Sequence, residues 1–78
     1  MEVSPEIYPN PASDQLILHV DIAKYYSCTL SNNLGQILST QNLNSGNTNV
    51  DIKSLIPGVY YISLKGAEGG ITRTFVKK

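Results

Sequence analysis

Leu55-Ile56-Pro57-Gly58-Val59-Tyr60-Tyr61-Ile62-Ser63-Leu64-Lys65 decides the fold of this chain. From Gly58 onward the pattern has period two. Tyr60, Ile62 and Leu64 fall on one face, and Val59, Tyr61 and Ser63 on the other. That alternation is the mark of a strand with one buried side. Pro57-Gly58 sets a tight turn just ahead of it. The spacing Leu-x-Pro-Gly-x-Tyr then puts Tyr60 at the start of the strand, where its hydroxyl can bond backbone just upstream. This is the tyrosine corner, a folding device of β-sandwiches.

Working outward, the same period recurs. Gln15–Val20 sets Leu16, Leu18 and Val20 on one face, and Tyr25–Ser31 sets Tyr26, Cys28 and Leu30 on one face. Shorter runs at Glu6–Tyr8, Ile37–Gln41, Thr48–Ile52 and Ile71–Lys77 complete the set. Between them stand turn formers: Ala12-Ser13-Asp14, Asn32-Asn33-Leu34-Gly35, Asn44-Ser45-Gly46-Asn47, and the glycine-rich Gly66 to Gly70. Asn and Gly tolerate positive φ in such hairpin loops. The expected fold is all-β, an immunoglobulin-like antiparallel sandwich of about seven short strands. Its expected core is Leu16, Leu18, Tyr26, Leu30, Val50, Ile52, Leu55, Tyr60, Ile62 and Leu64.

Composition limits the functions available. Seventy-eight residues make one domain, read here as 1–78, with 1–5 as a linker or a remnant of an excised piece, and Met1, if the domain is exported, as the start of that piece. A 41% hydrophobic fraction supports one thin core but not a deep pocket as well. Six basic and six acidic residues cancel, so no basic stripe offers itself to nucleic acid. A single cysteine, Cys28, allows neither an internal disulfide nor a thiolate zinc site. Met1-Glu2-Val3-Ser4-Pro5 lacks the pattern of a signal peptide, and no apolar run approaches the roughly 20 residues of a membrane helix. No direct membrane insertion is expected, and no metal or cofactor.

The residues of catalytic type are sparse. His19 lies opposite Leu18 on an alternating strand and reads as exposed; Asp21 merely shares its face. Cys28 reads as a small core residue. A Ser-His-Asp reading lacks a nucleophile turn and a pocket. Gly66-x-x-Gly69-Gly70 sits in a hairpin with no helix after it, so it is no phosphate loop. The chain reads as non-enzymatic. Tyr25 and Tyr61 both point away from the core face on this reading. As neighbours in one sheet they would form either a stabilising cross-strand pair or an exposed aromatic docking patch.

Two segments remain. Tyr8-Pro9-Asn10-Pro11 is stiff, because each proline fixes its own φ and biases the residue before it toward extended geometry. The final strand runs through Thr74-Phe75-Val76 directly into Lys77-Lys78. In order, the chain has Tyr-Pro-Asn-Pro, an apolar strand, a hairpin turning at Gly35, the Leu55–Tyr60 corner, an apolar strand, and a last strand ending in lysine. This succession resembles the C-terminal sorting domain of type IX (Por) secretion, from about Ile7 to Lys78.

The resemblance implies a non-catalytic address that directs an upstream cargo domain through an outer-membrane type IX translocon. It implies removal by a sortase-like peptidase, often with the cargo then attached to surface lipopolysaccharide. The route would be the periplasm in transit, then the cell surface or medium. The recognition candidates are Tyr8, Pro9, Asn10, Pro11, Gly58, Tyr60, Phe75, Val76, Lys77 and Lys78. The alternative is a small immunoglobulin- or fibronectin-like accessory module that binds carbohydrate or a partner protein through exposed aromatics.

Overall fold

A computed structural model describes residues 5–78. Apart from Pro5, the linker expected over residues 1–5 lies outside the described residues. The strands are β1 (Glu6–Tyr8), β2 (Gln15–His19), β3 (Ser27–Asn32), β4 (Ile37–Asn42), β5 (Asn47–Asp51), β6 (Gly58–Gly66) and β7 (Gly69–Lys77). Each expected strand is present, with ends moved by two residues at most.

They form two sheets, ordered β1-β2-β5 and β4-β3-β6-β7, and neighbouring strands pair antiparallel. The fold is all-β, and both sheets feed one core. Leu16, Leu18 and Val50 come from the first sheet; Cys28, Leu30, Tyr60, Ile62, Leu64 and Phe75 come from the second. Register sets inward residues opposite one another: Leu16 opposite Val50, Leu30 opposite Ile62, Cys28 opposite Leu64, Tyr60 opposite Phe75. Burying each large apolar side chain in such a core contributes about 1.5–3 kcal/mol. Ala12, Val20, Leu43 and Ile52 close it from the connecting segments.

Two expected core residues are placed differently. Tyr26 is half exposed. Its N–H donates to the Lys65 carbonyl at 2.9 Å, although Ser27 already opposes Lys65 in register. Two successive residues thus address one partner, and the alternation breaks there as it does at a bulge. Tyr25, expected to point outward, packs partly buried against the core instead. A turn delivers it: the Asp21 carbonyl accepts the N–H groups of Lys24 and Tyr25 at 2.9 and 3.2 Å. Leu55 is only partly buried against the core, because it sits in the turn before β6 rather than on a strand.

The turns use their residues in particular ways. In the β3–β4 hairpin only Gly35 takes positive φ, at 85°. Asn32 acts through its side chain, whose Oδ1 accepts the N–H of Leu34 at 2.9 Å and of Gln36 at 3.0 Å. The glycines expected to make a flexible loop between β6 and β7 instead lie in the strands, with Gly66 opposite Gly69 and only Ala67-Glu68 between them. A Cβ on Gly66 would run into the Lys24 carbonyl oxygen, and one on Gly70 into the Leu64 carbonyl oxygen. On Gly46 it would stand 3.2 Å from the Val20 carbonyl oxygen, which a small shift relieves. We therefore expect Gly66→Ala to destabilise the fold by about 1–3 kcal/mol through overpacking, and Gly46→Ala by clearly less. Urea unfolding midpoints check this; equal midpoints for the two variants would contradict the close backbone contact at Gly66.

Candidate functional site

The corner at the head of β6 is formed. The Tyr60 hydroxyl donates to the Ile56 carbonyl at 2.6 Å, so a nearly buried phenol keeps its polar end satisfied. Its ring stacks on Phe75 of β7, centroids 5.7 Å apart and planes inclined by 25°. Gly58 opens β6 directly opposite Lys77. The Leu-x-Pro-Gly-x-Tyr motif and the chain's final residues, distant in sequence, therefore share one end of one hairpin.

The Tyr-Pro-Asn-Pro segment joins them there. It links β1 to β2, and both its X–Pro bonds, Tyr8–Pro9 and Asn10–Pro11, are cis. Asn10 Oδ1 accepts the Val76 N–H at 3.0 Å. Next along, the Ala12 N–H donates to the Val76 carbonyl at 2.8 Å, and the Lys78 N–H donates to the Ala12 carbonyl at 2.8 Å. Ala12 and Lys77 thereby form a short parallel bridge. Ala12 is fully buried, so this stitch ties the first sheet's connecting loop to the outer edge of the second sheet.

The candidates differ in what they offer to a partner. Tyr8, Pro9, Asn10, Pro11, Gly58, Val76 and Lys78 are exposed. Tyr60 and Phe75 are buried and shape the site from beneath. Lys77, a recognition candidate at the end of the final strand, is only 8% exposed. It follows Phe75 at the inward position of β7, with its amine donating to the Lys78 main-chain oxygen at 3.0 Å. The stem of such a side chain can lie along apolar surface while its charged tip stays polar.

Sequence reading missed a neighbouring feature. A groove of about 490 Å³ runs beside the corner, and its lining includes Leu34, Leu38, Ile56 and Val59. All four are exposed apolar residues. Val59 stands opposite Val76 on the outer face of β6 and β7, so the groove adjoins the terminal strand. The available signal was the apolar character of Leu34 and Ile56 in segments otherwise made of turn formers.

The catalytic-type residues are dispersed. His19 Nδ1 donates to Asn47 Oδ1 at 2.8 Å, whereas Asp21 Oδ1 accepts the Ala23 N–H at 3.0 Å. Cys28 is a buried free thiol whose pKa is pushed up by burial, partly opposed by a backbone hydrogen bond from Gln41. Among the described residues no group of three or more His, Cys, Asp or Glu side chains could hold a metal ion. Tyr25 and Tyr61 form no cross-strand pair: Tyr61 stands opposite Ser31, and Tyr25 precedes β3.

A two-sheet all-β domain with this corner and this stitched end is the class that the geometry defines. The family model for the secretion system C-terminal sorting domain matches residues 6–78, and the chain belongs to that family. Its role is accordingly, in general terms, one of sorting and secretion. No curated protein sequence matches the chain.

The corner generates a stability prediction. Tyr60→Phe removes the bond to Ile56 and should cost about 0.5–1.5 kcal/mol. Tyr60→Ala empties a core position and should cost about 3–5 kcal/mol. Unfolding midpoints equal to wild type for both would show that the corner contributes nothing.

Proposed function

We propose that this chain is a non-catalytic C-terminal address, read by the outer-membrane translocon of type IX secretion and then removed by a sortase-like peptidase. The whole of 1–78 acts as one domain, carried behind an upstream cargo domain. The cargo passes through the periplasm and ends at the cell surface or in the medium. The observation that carries this reading is the family match over residues 6–78, which includes both the Tyr-Pro-Asn-Pro segment and the terminal strand. Their meeting at one exposed end supports it, since separated motifs become a single place for a receptor to touch. The sandwich is read as immunoglobulin-like. The corner tyrosine at the start of the sixth strand supports this, while β4 pairs with β3 rather than joining the first sheet as the fourth strand does in a constant-type domain.

The test is a fusion of the 78 residues to the C-terminus of a periplasmic reporter in a type IX-competent host. The reporter should reach the surface or medium. Deleting everything from Ile71 should hold it in the periplasm, but that deletion also removes the buried Phe75 and exposes an edge of β6. The fold-sparing test changes only outward residues, Val76→Ser with Lys78→Ser, and leaves buried Lys77 in place. Surface changes of this kind should move stability by about 0.5 kcal/mol or less. Export should fall while the thermal melt holds. Undiminished export by this variant would contradict recognition at the terminal strand.

A further inference from the structure

We propose that the export receptor reads the Tyr-Pro-Asn-Pro loop and the end of β7 as one joint surface, and that Asn10 is the positioning residue that assembles it. The proposal rests on the export reading above and assigns that site its construction.

Three hydrogen bonds join the loop to the strand end, at 3.0, 2.8 and 2.8 Å. Two are backbone to backbone through Ala12, and no side chain takes part in them. The third belongs to the Asn10 side chain, so residue identity is specified there. The Val76 N–H can only donate, so an acceptor oxygen must face it. Pro9 and Pro11 have no N–H of their own, so neither could reach the Val76 carbonyl as Ala12 does.

The position of this bond separates it from the core. Asn10 is exposed, and its bond spans 66 residues of sequence at the molecular surface. Around it Tyr8, Pro9 and Pro11 from the loop, and Val76 and Lys78 from the strand, are all exposed. The end of an edge strand frays when nothing ties it down. Tying Val76 to the loop holds the two exposed sets in one fixed relation before any receptor arrives, which lowers the ordering cost of binding.

The experiment compares Asn10→Ala and Asn10→Asp in the 78-residue chain and in the reporter fusion. Aspartate keeps the acceptor oxygen; alanine removes it. In Asn10→Ala, amide hydrogen exchange at Val76 and Lys78 should become about five- to tenfold faster, the factor that one net hydrogen bond sets. Exchange at Ile62 and Leu64 in the core should stay as in wild type, and export should drop by a comparable factor. Asn10→Asp should restore both exchange and export. Val50→Ala, in the opposite sheet, serves as the stability comparison: with a melting temperature at or below that of Asn10→Ala, it should still be exported.

Export of Asn10→Ala at the wild-type level would overturn the proposal, as would unchanged exchange at Val76. Failure of Asn10→Asp to rescue, or equal loss of export in Val50→Ala, would overturn it as well. Retention of the unmodified fusion in the periplasm would overturn the export reading itself, and this proposal with it. The wild-type arm therefore tells the two failures apart.

Discussion

The inward row of Tyr60, Ile62 and Leu64 on β6 is the constraint on which the rest of this domain depends. Side chains on a strand alternate, so fixing one of them inward fixes all three. The bond from Tyr60 to Ile56 fixes the first, by tying the phenol to the turn that starts the strand. The register then follows on both sides. β3 places Leu30 and Cys28 against Ile62 and Leu64, and β7 places Phe75 against Tyr60. At the far end Gly66 leaves room for the Lys24 carbonyl to pass over the hairpin, which no side chain would allow. A one-residue slip of β6 would turn its apolar row to water and bring the outward side with Ser63 into the core.

β7 inherits this order and passes it to the surface. Because Phe75 must face inward, Val76 faces outward and Lys77 inward again. The backbone N–H and carbonyl of Val76 then lie on the free edge of the sheet, within reach of Asn10 and Ala12. The corner motif, the proline segment and the chain's last residues are in this sense one structure. On the proposed export reading, the address is a folded object and not a linear tag. Its exposed parts come from both ends of the sequence, and buried Tyr60 and Phe75 hold them from below.

Much of the architecture was legible because it depends on short-range chemistry. Period two marked the strands, and Pro-Gly, Asn and Gly marked the turns, as far as the bounds of β1. The misplacements each have their own local cause. Tyr26 continued the alternation on paper, yet its N–H reaches the carbonyl that Ser27 already opposes, and the pattern breaks. Tyr25 is delivered inward by the turn at Asp21, and the expected pairing with Tyr61 went with it. Lys77 is a charged residue at the end of the strand, but strand parity carries it beside the core. Composition predicts lysine outside; position on β7 decides otherwise.

By itself the sequence determined the strands, the corner and the inward row, because alternation, proline stiffness and the reach of a tyrosine hydroxyl are all local. Its motif order also carried the family resemblance. Tertiary structure alone decided that Asn10 meets Val76 across 66 residues, that buried Ala12 bridges Lys77, and that Leu34, Leu38, Ile56 and Val59 line one groove. Nothing in the local chemistry of Asn10 names Val76 as its partner. The pairing exists because two sheets sharing one core bring the edge of one beside the connecting loop of the other, and that proximity is a property of the packed layers.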